Sequence, residues 1–131
     1  MKKGIMLNSQ ISEVIANMGH TDLLVISDCG LPIPENIKKV DIALTKGIPS
    51  FIEAVNVVLS ELEVEEAFVA KEILEKSPDL FNLLKERLGS IPITFITHEE
   101  FKATTKNAKA CIRTGECTPY ANVILKSGTT F

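Results

Sequence analysis

Residues 18–34 read MGHTDLLVISDCGLPIP and contain the clearest structural pattern of the chain. Four consecutive apolar residues, 23–26, lie between two aspartates, which favours a short buried strand. The two prolines that follow lack a backbone donor and bias the residues before them toward extended geometry. We therefore expect a buried strand that ends in a shaped loop, with a histidine before the strand and a carboxylate after it.

Helical and strand-like patterns alternate on both sides of this stretch. Before it, Ser9 is predicted to cap a helix that ends near Gly19. After it, Pro49 fits the first position of a second helix. Further helices are expected from Ser77 and Thr97, and further strands over residues 40–44, 64–69, 91–96, 110–113 and 122–125. This alternation, without internal repeats, predicts one α/β domain over residues 1–131 around a mostly buried sheet.

The composition excludes several classes of protein. The formal net charge of −3 argues against nucleic-acid binding, which needs clustered positive charge. No apolar window reaches the length of a membrane span, and the first residues do not fit a signal peptide. The two glycine-rich motifs of nucleotide-binding proteins, G-x-G-x-x-G and G-x-x-x-x-G-K-[ST], are both missing from the sequence. The spacing of histidines and cysteines fits no metal site. The three cysteines lack CxxC spacing, so we expect reduced thiols in a cytoplasmic protein without cofactor or metal.

The two histidines are the first candidates for chemistry. His20 follows a predicted helix C-terminus, with Asp22 and Asp28 expected nearby, and both features favour a protonated imidazole. We therefore predict that His20 is a general acid. His98 follows a predicted cap at Thr97 and is expected to hydrogen-bond a polar ligand, although an exposed histidine without function explains its position equally well.

Two further clusters carry polar groups. Asp28 follows a strand, and ligands collect at the carboxyl ends of strands in open α/β sheets, but a turn aspartate that caps the loop backbone is the alternative. Tyr120 and Asn122 offer a ring face, a hydroxyl and an amide that suit a neutral polyol, or else belong to a hairpin loop. Cys29 could be a nucleophile with His20 as its base, but a packing role has the greater weight.

These motifs together resemble those of the family of D-ribose pyranases and fucose mutarotases, RbsD/FucU. The resemblance spans essentially the whole chain, and its Leu-Pro-Ile-Pro and Pro-Tyr-Ala-Asn runs point to the ribose branch. The matching segments are residues 19–22 and 27–34 near the N-terminus, and 113–116, 119–122 and 124–128 near the C-terminus.

The resemblance implies a single-domain, three-layer α/β sandwich with a central, mostly parallel or mixed sheet. It implies an isomerase that interconverts the pyranose and furanose forms of free D-ribose and so supplies ribokinase. It implies a homo-oligomer, a decamer of two pentameric rings with sites where subunits meet. It implies His20 as proton donor and substrate contacts from Asp28, His98, Tyr120, Ala121 and Asn122.

To interconvert pyranose and furanose forms, the sugar ring must open and close again. This reaction changes no oxidation state and moves no phosphate, so it needs neither of the missing nucleotide-binding motifs. The sequence does not decide which group takes the proton from the anomeric hydroxyl: His98, Asp28 and a water molecule are the candidates. A non-catalytic sugar-binding protein and a fucose-type mutarotase that exchanges anomers are the two main alternatives, because the same hydroxyl-binding residues would serve each of them.

Overall fold

A six-stranded mixed sheet forms the centre of the computed structural model, which describes residues 1–131. Its spatial order is β2-β5-β1-β6-β3-β4. β6 lies antiparallel between β1 and β3, whereas the other neighbouring pairs are parallel. The strands are β1 Leu23–Ser27, β2 Lys38–Asp41, β3 Val64–Ala70, β4 Ile93–Ile96, β5 Ala110–Arg113 and β6 Val123–Ser127.

Helices cover both faces of this sheet. They are α1 Ser9–Asn17, α2 Phe51–Leu59, α3 Ile73–Lys76, α4 Pro78–Leu88 and α5 His98–Thr105. Leu24 and Ile26 of β1 pack in the larger core with α1, α2 and α4, whereas Val25 packs in the smaller core with Phe101 of α5. Alternate side chains of one strand thus enter two cores, which confirms the predicted three-layer α/β sandwich. None of the five helices is long and apolar enough to cross a membrane.

Two predicted helix starts are wrong by one or two residues. Asn8, not Ser9, caps α1, because its side-chain oxygen accepts a hydrogen bond from the backbone N–H of Ile11 at 2.9 Å. α2 begins at Phe51 rather than at Pro49, and Ser50 before it forms a reciprocal capping box with Glu53. A side-chain cap satisfies free N–H groups, and this fixes the start of a helix more closely than apolar periodicity does.

Three strand predictions also need correction, and one short helix was not predicted. β2 occupies residues 38–41 rather than 40–44, because it pairs in parallel with β5 from Lys38 to Asp41. β6 begins at Val123 rather than at Asn122, and β4 begins at Ile93 rather than at residue 91. The four-residue helix α3 has no counterpart among the predicted elements, since one turn carries almost no periodic pattern.

The strand directions decide which loops meet. Because every strand except β6 runs the same way, β1, β3, β4 and β5 all end at one edge of the sheet, where β6 begins. The loops after β1 and β5, the start of α5 and the segment before β6 therefore share this edge. The residues before β1 and those after β6 lie at the opposite edge.

Candidate active site

A cleft of about 390 Å³ opens at the carboxyl edge of the sheet. Three parts of the chain line it: residues 28–32 after β1, His98 at the start of α5, and residues 116–120 before β6. Its volume lies at the small end of the range for small-molecule sites, which suits a ligand of sugar size. The cleft brings together Asp28, His98 and Tyr120, three of the residues selected from the sequence.

Asp28 organises the loop that forms one wall of the cleft. Its Oδ1 accepts hydrogen bonds from the backbone N–H groups of Gly30 at 2.9 Å and Leu31 at 2.8 Å. Its Oδ2 accepts one from the Asn122 side-chain amide at 3.0 Å. Asp28 therefore caps the loop backbone, as the alternative interpretation from the sequence predicted. A carboxylate has about four acceptor positions, so Oδ2 retains capacity for a ligand hydroxyl.

Ala121 and Asn122 lie behind the cleft wall rather than on it. Both are almost fully buried, with 0% and 1% of their surface exposed, and neither lines the cleft. The Asn122 side chain braces Asp28 twice, since its oxygen also accepts the Asp28 backbone N–H at 2.9 Å. Asn122 thus acts on the cleft through Asp28, a role that the polar pattern of residues 120–122 does not reveal.

His98 and Tyr120 form the other wall. Their rings meet edge to face, with centroids 5.1 Å apart at 84°. The His98 ring makes no hydrogen bond within the chain, and its Nδ1 is buried without a partner. Buried polar atoms without partners are rare in folded proteins, so this imidazole is a candidate for ligand binding.

The backbone around these two rings is held from outside the cleft. The Glu72 carboxylate accepts the His98 backbone N–H at 3.0 Å, and Thr97 caps α5 as predicted by accepting the Glu100 backbone N–H at 3.1 Å. Tyr120 has φ 62°, an uncommon value for a bulky residue. Ser77 stabilises that turn by donating its hydroxyl to the Pro119 carbonyl at 2.7 Å.

His20 lies at the opposite edge of the sheet. Its Nε2 donates to Glu65 Oε2 at 2.8 Å, while Asp22 accepts the Gly19 backbone N–H instead. Asp28 follows the far end of β1, and the five residues of this strand span about 17 Å. The expectation that Asp22 and Asp28 both flank His20 is therefore wrong, because β1 separates His20 from Asp28. His20 and the cleft do not meet within one chain.

Glu65 is the partner of His20 that sequence reasoning missed. Hydrogen bonds from His20 and from Lys126, whose Nζ lies 3.0 Å from Oε1, lower the pKa of the Glu65 carboxyl. Because a carboxylate can only accept hydrogen bonds, Nε2 of His20 carries a proton. Nδ1 takes no part in this contact and is therefore available to a ligand. The one signal in the sequence was a pair of glutamates, Glu65 and Glu66, inside an otherwise apolar strand.

The three cysteines occupy two different environments. Cys111 is buried in β5, and desolvation raises the pKa of its thiol to about 11. Cys29 and Cys117 both line the cleft, with their sulfurs 3.6 Å apart. Cys29 lies at the carboxyl end of β1 and His20 before its start, so the considered pairing of a Cys29 nucleophile with His20 as base does not exist within the chain.

Comparisons with known proteins identify the family and the fold of the chain. The model of the RbsD / FucU transport protein family matches residues 1–130. A Thermoanaerobacter sp. protein named D-ribose pyranase is 59% identical over 131 residues, which is 100% of each chain. The structure of Bacillus subtilis RbsD complexed with D-ribose is 44% identical, with a TM-score of 0.97 and 100% of both chains covered. A Streptococcus pneumoniae fucose mutarotase solved with L-fucose covers 100% of both chains at 21% identity and a TM-score of 0.86, which is a likeness of fold.

Proposed function

The chain belongs to the RbsD/FucU family, and we propose on this premise that it is a D-ribose pyranase. It interconverts the pyranose and furanose forms of free D-ribose without a cofactor. The observation that carries this proposal is a cleft of sugar size lined by Asp28, His98 and Tyr120 in a chain 59% identical to a protein named D-ribose pyranase. The furanose then supplies ribokinase in the cytoplasm.

The cleft supplies groups that bind hydroxyls. Asp28 Oδ2 can accept a hydrogen bond from a sugar hydroxyl, and the Tyr120 hydroxyl can donate or accept one. The His98 ring makes no hydrogen bond within the chain. A site that hydrogen-bonds each hydroxyl rejects an analogue that lacks one, because its own buried polar groups are then left without partners. Deoxy-ribose is therefore expected to bind far more weakly than ribose.

The proton donor comes from a neighbouring subunit in this proposal. The five residues of β1 separate His20 from the cleft by about 17 Å, so a complete site needs two chains that place one copy's His20 against another copy's cleft. Apolar side chains stand exposed on the monomer, with Leu7 74%, Leu44 81% and Ile48 54% accessible, and a second copy would cover them. A decamer of two pentameric rings is the assembly that we propose.

The reaction needs two proton transfers and no other co-reactant. The His20 imidazolium gives its Nδ1 proton to the ring oxygen, while His98, Asp28 or a water takes the proton from the anomeric hydroxyl. The bond between the anomeric carbon and the ring oxygen breaks, and the carbonyl of the open aldehyde forms. After rotation of the chain a different hydroxyl adds to the carbonyl, and both protons return. General acid–base catalysis typically contributes about a hundred- to ten-thousandfold.

Saturation-transfer NMR of D-ribose tests this proposal directly. The protein is expected to speed exchange between ring forms, and His20→Gln is expected to abolish that effect while ribose still shifts the thermal unfolding of the protein. A pure sugar-binding protein would leave the exchange rate of excess ribose unchanged. A fucose-type mutarotase would accelerate anomer exchange of L-fucose more than ring exchange of ribose.

A mixing experiment tests the shared site. His20→Gln and a cleft variant, His98→Gln with Tyr120→Phe, are each expected to be inactive. Co-expressed in equal amounts, they should regain activity, because about a quarter of random pairings join an intact His20 to an intact cleft. Recovery of no activity in mixed oligomers would show that one chain supplies both parts. Native mass spectrometry gives the number of 14.3-kDa chains.

A further inference from the structure

Two cysteine side chains meet at the rim of the cleft. Cys29 Sγ and Cys117 Sγ lie 3.6 Å apart, although the residues are separated by 88 positions in sequence. The segments that carry them are also joined by the backbone, since the Cys29 N–H donates to the Glu116 carbonyl at 2.8 Å. The two sulfurs are thus held together by the fold rather than by chance contact of mobile side chains.

Oxidants of small size can reach this pair. Both cysteines line the cleft, and Cys117 is exposed. A cleft that admits a pentose also admits a peroxide, which is smaller. The third cysteine, Cys111, is 1% exposed, and burial raises the pKa of its thiol to about 11, so it offers neither access nor thiolate.

We propose that Cys29 and Cys117 form a reversible disulfide with a peroxide as oxidant, and that this bond closes the cleft to sugar. The Cys117 thiolate attacks the peroxide, breaks its O–O bond and becomes a sulfenic acid, with hydroxide leaving. The Cys29 thiol then displaces the sulfenic oxygen, the S–S bond forms and water leaves. In sum two thiols and one hydrogen peroxide give one disulfide and two waters, and a dithiol reductant reverses the change.

The order of attack follows from the surroundings of the two thiols. The hydrogen bond with Cys117 and partial burial raise the pKa of Cys29, and the neighbouring Asp28 carboxylate acts in the same direction, while Arg113 opposes them. The raised pKa favours the protonated form of Cys29, and the exposure of Cys117 brings a peroxide to that sulfur first. A thiolate with a thiol beside it is the arrangement in which a sulfenic acid is rapidly resolved.

The bond would alter the sugar site because of where the two cysteines stand. Cys29 follows Asp28 directly, and Cys117 lies three residues before Tyr120. Bond formation draws the sulfurs from 3.6 Å to about 2.05 Å, which pulls the two walls of the cleft toward each other. The effect on turnover rests on the function proposed above, whereas the formation of the bond does not.

Thiol titration tests the bond itself. After treatment with hydrogen peroxide and removal of the excess, the denatured protein is expected to show one free thiol instead of three, and each chain to lose about 2 Da. Cys117→Ser and Cys29→Ser should lose this change, whereas Cys111→Ala should keep it and fall from two thiols to none. Three thiols after treatment, or a link between chains on a non-reducing gel, would overturn the proposal.

Ribose exchange tests the consequence. The oxidised protein is expected to exchange ring forms at least tenfold more slowly than the same sample before treatment, with full recovery after dithiothreitol. Cys117→Ser is compared with its own untreated sample and should not respond to peroxide. An oxidised protein that carries the bond and exchanges ribose at an undiminished rate would refute the closure of the cleft, and thiol counts would still report on the bond if no ribose exchange existed at all.

Discussion

Replacement of Asn122 by aspartate should destabilise the protein in a strongly pH-dependent way. The change is nearly isosteric, but it replaces the amide group that donates to Asp28 Oδ2 at 3.0 Å by a second carboxylate oxygen. Asn122 is 1% exposed, so water cannot separate the two charges. If Asn122 braces Asp28 as the structure indicates, the variant must either hold two facing anions or bind a proton.

The magnitude follows from the smaller of these two costs. Two unit charges 3.0 Å apart repel by about 5.5 kcal/mol at an effective dielectric constant of about 20. Holding one carboxyl protonated costs about 1.4 kcal/mol per pH unit above its usual value, or about 4 kcal/mol at pH 7. Protonation is therefore the cheaper solution at pH 7. The raised pKa of the pair means that the loss of stability grows with pH, from about 1.5 kcal/mol at pH 5 to about 4 kcal/mol at pH 7.

Urea unfolding followed by circular dichroism at pH 5 and pH 7, at one protein concentration, measures this difference. Asn56→Asp is the matched control, because Asn56 is exposed on α2 and its side chain makes no hydrogen bond. We expect the control to change by less than about 0.5 kcal/mol at either pH. Equal pH dependence of Asn122→Asp and Asn56→Asp would refute the reasoning, since the amide could not then face the Asp28 carboxylate.

Three other changes have defined outcomes. Glu65→Gln removes the anion that accepts the hydrogen bond from Nε2 of His20, so the imidazole is held less firmly and ribose exchange measured by saturation-transfer NMR should slow. Because the pKa of Glu65 lies below its usual 4.5, the wild type should exceed Glu65→Gln in stability above that pH and lose the advantage as pH falls further, as urea unfolding can show. Gly115→Ala should lower the unfolding free energy by about 1–3 kcal/mol, because its Cβ would press on the Ile48 carbonyl oxygen; unchanged stability would show that this loop yields. Ser50→Ala should cost about 1 kcal/mol through the lost cap of α2, and Ser50→Gly only a few tenths, in thermal or urea unfolding.

Local patterns explain why much of the fold could be predicted. The apolar run 23–26 forms β1, and Pro78 and His98 begin α4 and α5. Caps and first-turn positions act within a few residues of sequence, so they are readable wherever tertiary contacts agree with them. The exceptions at Ser9 and Pro49 are also local, because the adjacent Asn8 and Ser50 supply the side-chain bonds that set the helix starts.

The polar loop residues of the cleft could also be selected in advance. Asp28 and His98 follow strands, and the carboxyl ends of parallel strands share one edge of the sheet. Their selection did not require knowledge of the strand order. It required only that the sheet be mostly parallel, which alternation of helices and strands predicts. The inward role of Asn122 could not be predicted, since its bond to Asp28 spans 94 positions.

The sequence by itself therefore determined the layers of the fold and selected Asp28, His98 and Tyr120 of the cleft, because these features arise from periodicity, capping and strand ends along the chain. Only the tertiary structure decided that His20 stands away from that cleft, that Glu65 binds it, and that Cys29 meets Cys117. The physical reason is the pairing of strands distant in sequence. The antiparallel insertion of β6 between β1 and β3 sets which loops share an edge, and no local preference of the chain encodes that choice.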